Sequence, residues 1–266
     1  MRERELVGFV AADPIEQDTV AGSQDGVPGR ISKDDELGLT VFEDVIPPHL
    51  LSWINRVIDA QRERWSSADG GSEVALAQSF GRMLRRIERF RLIEQGACAA
   101  ITTYPAPPIP SADSSHALRC VNRDMSWLSH LRHHDSHLLT LLVPLQLAAG
   151  EQNGDLLLYR KRRQSVSLLS NLLYKSWLVM QQNRGLAVRR RQTFRDIEQQ
   201  RCRRIACKPG HVYVFNGFVS LHANLEIDSG ERRSLIIHHF DPRLTVGIKH
   251  VTRALRKLRV RFGDLS

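Results

Sequence analysis

Two periodicities divide the chain. In the first third, apolar residues recur at helical intervals. Leu50, Leu51, Ile54, Val57 and Ile58 follow Pro47-Pro48, where proline suits a first helical turn. After a polar break at 66–72, Leu76, Phe80, Met83, Leu84, Ile87 and Phe90 mark one face of a second helix, expected to stop at Gly96. From Cys98 onward short apolar runs alternate with turn residues. Strands are expected over 99–104, 116–121, 138–147, 155–159, 211–215, 218–227 and 232–240, with an earlier one at 37–42. Glu151-Gln-Asn-Gly154, Lys208-Pro209-Gly210 and Ser229-Gly230 carry turn chemistry. The Pro/Ser stretch 105–115 cannot be a central strand and reads either as a lid beside a site or as a plain connection. Many short strands with glycine-bearing turns argue for an antiparallel sandwich or barrel, braced by the two helices. Residues 1–36 lack an apolar period and are expected to be a mobile N-terminus.

The length of 266 residues suits one large domain, or one domain with an insertion. Net charge is +9, and it is uneven. Residues 160–204 hold 13 Lys or Arg against Asp196 and Glu198, and 243–262 hold seven with no acid. Within 160–204, read as an insertion, Leu168, Leu169, Leu172, Leu173, Trp177, Leu178 and Met180 lie between Arg clusters. Residues 243–266 read as a basic helix with Ile248, Val251, Leu255, Leu258 and Phe262 in a stripe. Both segments suit an anionic membrane surface, and both also suit helices packed on the domain with a solvated basic face. Nucleic acid is the less favoured anionic partner, because these apolar residues are aliphatic at helical spacing, not aromatics spaced for base stacking.

Four scattered cysteines exclude a disulfide framework, and Cys202-x4-Cys207 lacks a second pair to complete a zinc site. Reduced thiols, a charged first segment and no apolar run of 18 residues give the expectation of a cytoplasmic protein, peripheral on the inner face of a membrane.

The chemistry starts at His133-x-Asp135, just before the strand at 138–147. An imidazole and a carboxylate at a strand edge supply two ligands of a facial iron site, though this spacing is common by chance. It is followed by Gly154-Asp-Leu-Leu-Leu-Tyr159, then Pro209-Gly210-x4-Phe215, Leu221-His222 and Gly230-Glu-Arg-Arg-Ser234. Together and in this order, over roughly 98–159 and 205–240, these segments resemble the Fe(II)- and 2-oxoglutarate-dependent dioxygenases, in particular their prolyl-hydroxylase-like branch.

The resemblance implies a mainly β fold with flanking helices (α+β) and a double-stranded β-helix (jelly-roll, cupin-like) core over 37–242. It implies His133, Asp135 and His222 as iron ligands, with Arg232 and Ser234 for the far carboxylate of 2-oxoglutarate. A guanidinium offers two parallel hydrogen bonds to a carboxylate. Strand alternation puts Arg232 with Ser234 and Arg233 on the opposite face, which favours Arg232 over its neighbour. Tyr104 and Tyr213 are candidates to reach the oxo acid, or core residues with hydroxyls at an edge. His134 and His137 remain alternative first ligands or outer residues, His238 and His239 read as polar strand ends, and Asn224 shares the face of His222. The implied reaction is hydroxylation of an unactivated C–H group with dioxygen, coupled to decarboxylation of 2-oxoglutarate to succinate, with ascorbate keeping iron reduced. An anionic lipid or envelope precursor is the expected substrate. A nucleic-acid demethylase, a protein hydroxylase and a non-catalytic membrane- or RNA-binding protein on the same fold are the rivals.

Overall fold

A computed structural model describes residues 30–65, 71–101, 114–163 and 168–241. Eleven strands form among them. A six-stranded antiparallel sheet has the order β1 (Ile31–Asp34), β2 (Leu39–Phe42), β8 (Val212–Phe215), β4 (Leu139–Gln146), β11 (Glu231–His239), β3 (Ser115–Asn122). A second sheet has the order β7 (Cys202–Ile205), β6 (Leu156–Arg162), β9 (Ser220–Asn224), and β5 (Ala149–Asn153) pairs with β10 (Ile227–Ser229). After β4 the chain passes repeatedly from one sheet to the other. This is the winding of a double-stranded β-helix, mainly β with flanking helices.

Strand parity sorts the side chains into layers. Leu139, Leu141, Val143 and Leu145 of β4, Val212 of β8, and Leu235 and Ile237 of β11 point away from the second sheet. They meet Ile54 and Ile58 of α1 (Pro48–Trp65), Phe80 and Leu84 of α2 (Gly71–Leu84), and Phe90 of α3 (Glu88–Ile101). Alternate residues face the space between the sheets. There Leu39, Tyr213 and Phe215 pack on Leu156 and Leu158 of β6, with Leu37 and Cys207. Behind the second sheet, Leu157, Tyr159, Cys202, Ala223 and Leu225 form a third layer that takes Ile197 of α5 (Leu186–Glu198). Both sheets thus have helices on their outer faces.

Several expectations need correction. The expected second helix is two: Arg86 N–H and Ile87 N–H bond to the carbonyls of Met83 and Leu84, a tightening that ends α2 before α3 begins. Gly96 does not stop α3, because its position is open and Ala97, Cys98 and Ile101 beyond it still pack on the helix-side core. Residues 99–101 are therefore helical, not the start of a strand. Ala149–Asn153 is a strand paired with β10, where turn residues were expected over 151–154. The expected strand at 218–227 is divided between β9 and β10. Ile31–Asp34, within the expected mobile N-terminus, pairs with β2. The insertion is a helical hairpin of α4 (Leu168–Gln182) and α5 followed by strand β7, which the basic composition of 201–204 concealed. Tyr104, residues 105–113 of the expected Pro/Ser connection and the expected basic helix at 243–266 lie outside the described residues, as do residues 1–29; Ser115 of that stretch already belongs to β3. Among the described residues no helix is long and apolar enough to cross a membrane.

One buried charge cluster ties α3 to the last strand. His239 Nε2 lies 3.0 Å from Glu94 Oε1, and Arg85 holds both oxygens of the same carboxylate at 2.7 and 2.8 Å. Burial opposes the charge on His239, but hydrogen bonds to Cys98 and Glu94 raise its pKa to about 9. Burial also opposes the charge on Glu94, yet His239 and Arg85 bring it down to about 2. A histidine pKa above its unfolded value gives stability that is complete below about 6.5 and is lost as pH rises through about 9. Thermal melting between pH 6 and 9.5 should therefore fall with pH in the wild type. The fall should be shallower in His239→Gln; equal slopes would show that this ring does not carry the dependence.

Candidate active site

The loop before β4 runs back along β9, and backbone hydrogen bonds hold it there. His130 N–H donates to Asn224 O at 2.8 Å, His133 N–H to His222 O at 2.9 Å, His222 N–H to His133 O at 3.0 Å, and Asp135 N–H to Gly217 O at 2.9 Å. The paired backbones of His133 and His222 put their rings 4.2 Å apart, centroid to centroid. One donor atom each from His133, Asp135 and His222 lies within 4.8 Å of the others.

The donors are also oriented. His133 Nδ1 lies 2.9 Å from Leu131 O and His222 Nδ1 lies 3.0 Å from Ser220 O. A carbonyl only accepts, so each Nδ1 carries the proton and each Nε2 presents a lone pair. Both Nε2 atoms face Asp135 Oδ1, at 3.9 Å from His133 and 3.4 Å from His222. The other carboxylate oxygen accepts from Thr140 Oγ1 at 2.6 Å. His238 Nδ1 stands 3.2 Å from that hydroxyl and 3.9 Å from Asp135 Oδ2. Burial opposes ionisation of Asp135, but His222, His238 and His133 around it keep its pKa well below the ordinary carboxylate range. Burial likewise disfavours a charge on His222, and Asp135 outweighs it, raising the pKa. Two imidazole nitrogens and one carboxylate oxygen, braced from behind, form a donor set suited to a divalent transition metal such as iron.

Arg232 lies on the inward face of β11 with the buried Ser234 two residues on. Its Nη1 donates to Asn224 Oδ1 at 2.8 Å and to Gly154 O. Its Nε is buried without a hydrogen-bond partner, and among the described residues no carboxylate pairs with it. Burial lowers its pKa below the usual arginine value. Arg233 has the opposite fate. It faces α1, where Nε bonds Glu231 at 2.6 Å, Nη1 bonds Asn55 O at 3.0 Å and Nη2 bonds Asp59. Of these two neighbours on β11, Arg232 is the one whose guanidinium faces the space between the sheets.

The remaining candidates divide. Tyr213 OH accepts from Lys208 N–H at 2.9 Å and donates to Ala206 O at 3.2 Å, so its hydroxyl is spent on the backbone. His134 is buried with its ring 5.5 Å from Tyr174 of α4, and burial brings its pKa down to about 2. His137 stacks on His238 at 5.0 Å. His239 belongs to the Glu94 cluster. His238 and Thr140 were not singled out as site residues, yet they support Asp135. The parity of His238 with Arg232 and Ser234 along β11 was the available signal for that residue; Thr140, on β4, had none.

Gly217 is a further residue that motif reasoning passed over. A Cβ there would sit 2.0 Å from Asp135 Oδ2 and 2.5 Å from Thr140 Oγ1. Gly217→Ala must therefore displace the carboxylate. Co(II) affinity, measured by titration calorimetry, should fall by about 10–100-fold while the far-ultraviolet circular dichroism stays native. Unchanged affinity would mean that Asp135 is not a ligand.

No family model matches the sequence, and no curated protein matches it either. Among solved structures, the fold is similar to the non-heme alpha ketoglutarate dependent carbocyclase SnoK from nogalamycin biosynthesis, at 14% identity and a TM-score of 0.42, covering 84% of this chain and 91% of that one. It is also similar to a Pseudomonas putida prolyl-4-hydroxylase, at 14% identity, TM-score 0.41 and coverage of 79% and 92%. HygX from Streptomyces hygroscopicus, solved with nickel and 2-oxoglutarate, shares 13% identity at TM-score 0.42, with coverage of 79% and 84%.

Proposed function

We propose that this chain is an Fe(II)- and 2-oxoglutarate-dependent oxygenase that hydroxylates an unactivated C–H group. The observation that carries the proposal is a convergent His133–Asp135–His222 donor set together with a half-buried arginine, on the inward face of β11, whose Nε is buried and which has no carboxylate partner among the described residues. His133 and His222 would bind the metal through Nε2 and Asp135 through Oδ1. Arg232 would receive the far carboxylate of the oxo acid, with Ser234 beside it and Asn224 fixing one arm of the guanidinium. When bound, iron and 2-oxoglutarate supply an oxidation in which one oxygen atom of O2 enters the substrate and the other enters succinate, with loss of CO2. The chain itself would orient the donors and neutralise the cosubstrate charge, next to the apolar cluster of Leu156, Leu158 and Phe215 between the sheets.

Purified protein given Fe(II), ascorbate and 2-oxoglutarate should form succinate slowly even without substrate. Arg232→Ala should weaken oxo-acid binding by about 10–150-fold, the loss of a charge-assisted pair worth roughly 1.5–3 kcal/mol, and should still bind metal. Metal-loaded wild type that binds no 2-oxoglutarate would reject the oxygenase and favour the non-catalytic reading.

For the substrate we infer an anionic, apolar molecule held at a lipid surface, with the protein peripheral on it. The hairpin α4–α5 supports this: Leu173, Trp177 and Met180 on α4 and Val188 and Phe194 on α5 are exposed. Arg184, Arg190, Arg191 and Arg195 are exposed around them. Such a surface suits the acyl–headgroup boundary of an anionic bilayer. The full chain should co-sediment with phosphatidylglycerol vesicles in a salt-sensitive way, and the double variant Leu173→Glu/Trp177→Glu should not. Equal sedimentation of the two proteins would remove the hairpin from membrane binding.

A further inference from the structure

Although part of the hairpin faces outward, its other face clasps the ligand loop. Asp196 of α5 is 3% exposed and stands at the centre of that clasp. Its Oδ2 accepts from Arg132 Nη1 at 3.2 Å and from Tyr159 OH at 3.1 Å. Its Oδ1 lies 3.4 Å from Arg201 Nη1, and its carbonyl accepts from Arg201 N–H at 2.9 Å.

Both partners on Oδ2 adjoin a metal donor. Arg132 immediately precedes His133. Tyr159 immediately follows Leu158, whose register partner across the β6–β9 pair is His222. One buried carboxylate therefore joins the loop that brings His133 and Asp135 to the strand that supports His222.

Three more ties act on the same loop and on the turn behind it. Gln182, at the end of α4, donates through Nε2 to the carbonyl of Arg132 at 2.7 Å. Arg189, buried on α5, donates to Trp127 O at 3.0 Å. Arg163, ahead of α4, bonds Phe218 O and lies over the Phe218 ring at 4.7 Å, next to the Gly217 carbonyl that receives Asp135 N–H. The hairpin thus holds the ligand loop at residue 132 and the helical turn ahead of it at residue 127, one to eight residues from the first two donors.

We propose that Asp196 is a positioning residue for the metal centre, and that the 168–198 hairpin is a brace which sets the separation of His133 and Asp135 from His222. The inference rests on the metal-site reading above and extends it to a part of the chain that touches neither metal nor cosubstrate. Without the Asp196 carboxylate, Arg132 loses its ion pair, and the loop keeps its backbone contacts with β9 and the Gln182 tie but loses the anchor of the Arg132 side chain. The donor triangle widens, which costs metal affinity more than folding stability.

The test is Co(II) titration of the full-length apo-protein without oxo acid, read by ligand-field absorption, together with thermal melting of the same metal-free samples. In Asp196→Asn, which keeps shape and removes charge, the Co(II) dissociation constant should rise about 10–100-fold, as for other groups that orient metal ligands. Tyr159→Phe and Gln182→Ala, each removing one strand of the clasp, should show the same change in smaller degree. A lowered melting temperature with unchanged Co(II) affinity and unchanged absorption bands would overturn the proposal, because a purely structural contact moves only the first. If Asp196→Asn does not fold, Gln182→Ala decides: a weakened metal site supports the brace, and wild-type affinity ends it. His133→Ala separates the two layers of inference. If the wild type binds no Co(II), or this variant binds it as well as the wild type does, the metal reading fails and the brace with it. Loss in His133→Ala with wild-type affinity in Asp196→Asn and Gln182→Ala rejects the brace alone.

Discussion

Two hydrogen bonds between the backbones of His133 and His222 hold the candidate site together. Each residue donates its N–H to the carbonyl of the other, at 2.9 and 3.0 Å, in an isolated antiparallel bridge that ties the loop before β4 to β9. A backbone polar group removed from water must find a partner, so this bridge is a requirement of the loop's course as well as a link. It sets two imidazoles side by side, and carbonyls of neighbouring residues then fix both tautomers. The carboxylate is placed by the same device, through Asp135 N–H and Gly217 O. The donors are thus arranged by main chain that has already been folded. A metal entering such a site pays little to order its ligands, the condition for tight and selective binding.

The second constraint is charge burial on β11. Neighbouring arginines face opposite sides of one strand, and the surroundings treat them differently. Arg233 has Glu231, Asp59 and the Asn55 carbonyl, a set that compensates a guanidinium taken out of water. Arg232 has neutral oxygens from Gly154 and Asn224 and a buried Nε without a partner. Arg232 is half-buried, so its guanidinium is partly taken out of water without a counter-charge, which costs free energy. A folded domain tolerates that cost where a ligand of opposite charge relieves it, which is why the unpaired arginine says more about function than the paired one. The Gly154 main chain, at φ +81°, packs so closely on Arg232 that a Cβ there would lie 3.2 Å from Nη1. Glycine at this position lets the carbonyl approach the guanidinium.

Much of this was legible in the residues. Period-two alternation placed Arg232 and Ser234 together and Arg233 opposite, and the strands at β3, β4, β6, β8 and β11 follow their apolar runs. The motif order brought His133, Asp135 and His222 forward as a set, which the structure collects within 4.8 Å. What stayed illegible has physical reasons. Gly96 is a helix-stop signal only if the chain beyond it has no reason to continue, and the core contacts of Ala97, Cys98 and Ile101 supply one. The Thr140 and His238 support for Asp135 depends on β4 lying next to β11, a pairing that no local pattern encodes. Gly217 matters through the space that it leaves empty, and residue spacing does not report volume.

The charge of the 160–204 segment shows how composition misleads when folding is ignored. Thirteen cations against two acids suggest a strong field facing an anionic partner. In the folded chain many of those cations are answered at home. Arg160 pairs with Glu36, Arg203 with Asp34, Arg204 with Asp155, Arg190 with Glu226, and Arg201 with Asp196. Arg189 is buried against a carbonyl. Ion pairs at contact distance cancel most of their field within a Debye length, so the count overstates what a distant surface would feel. Among the described residues Arg184, Arg191 and Arg195 have no ion pair, and they lie on the α4–α5 hairpin beside the exposed Trp177, Met180, Val188 and Phe194. One hairpin therefore serves two environments. Its inner face spends carboxylate, amide and guanidinium groups on the ligand loop, and its outer face keeps the few free cations together with the apolar side chains. Anything that pulls on the outer face is mechanically connected, through Asp196 and Gln182, to Arg132, the residue before His133 of the candidate site.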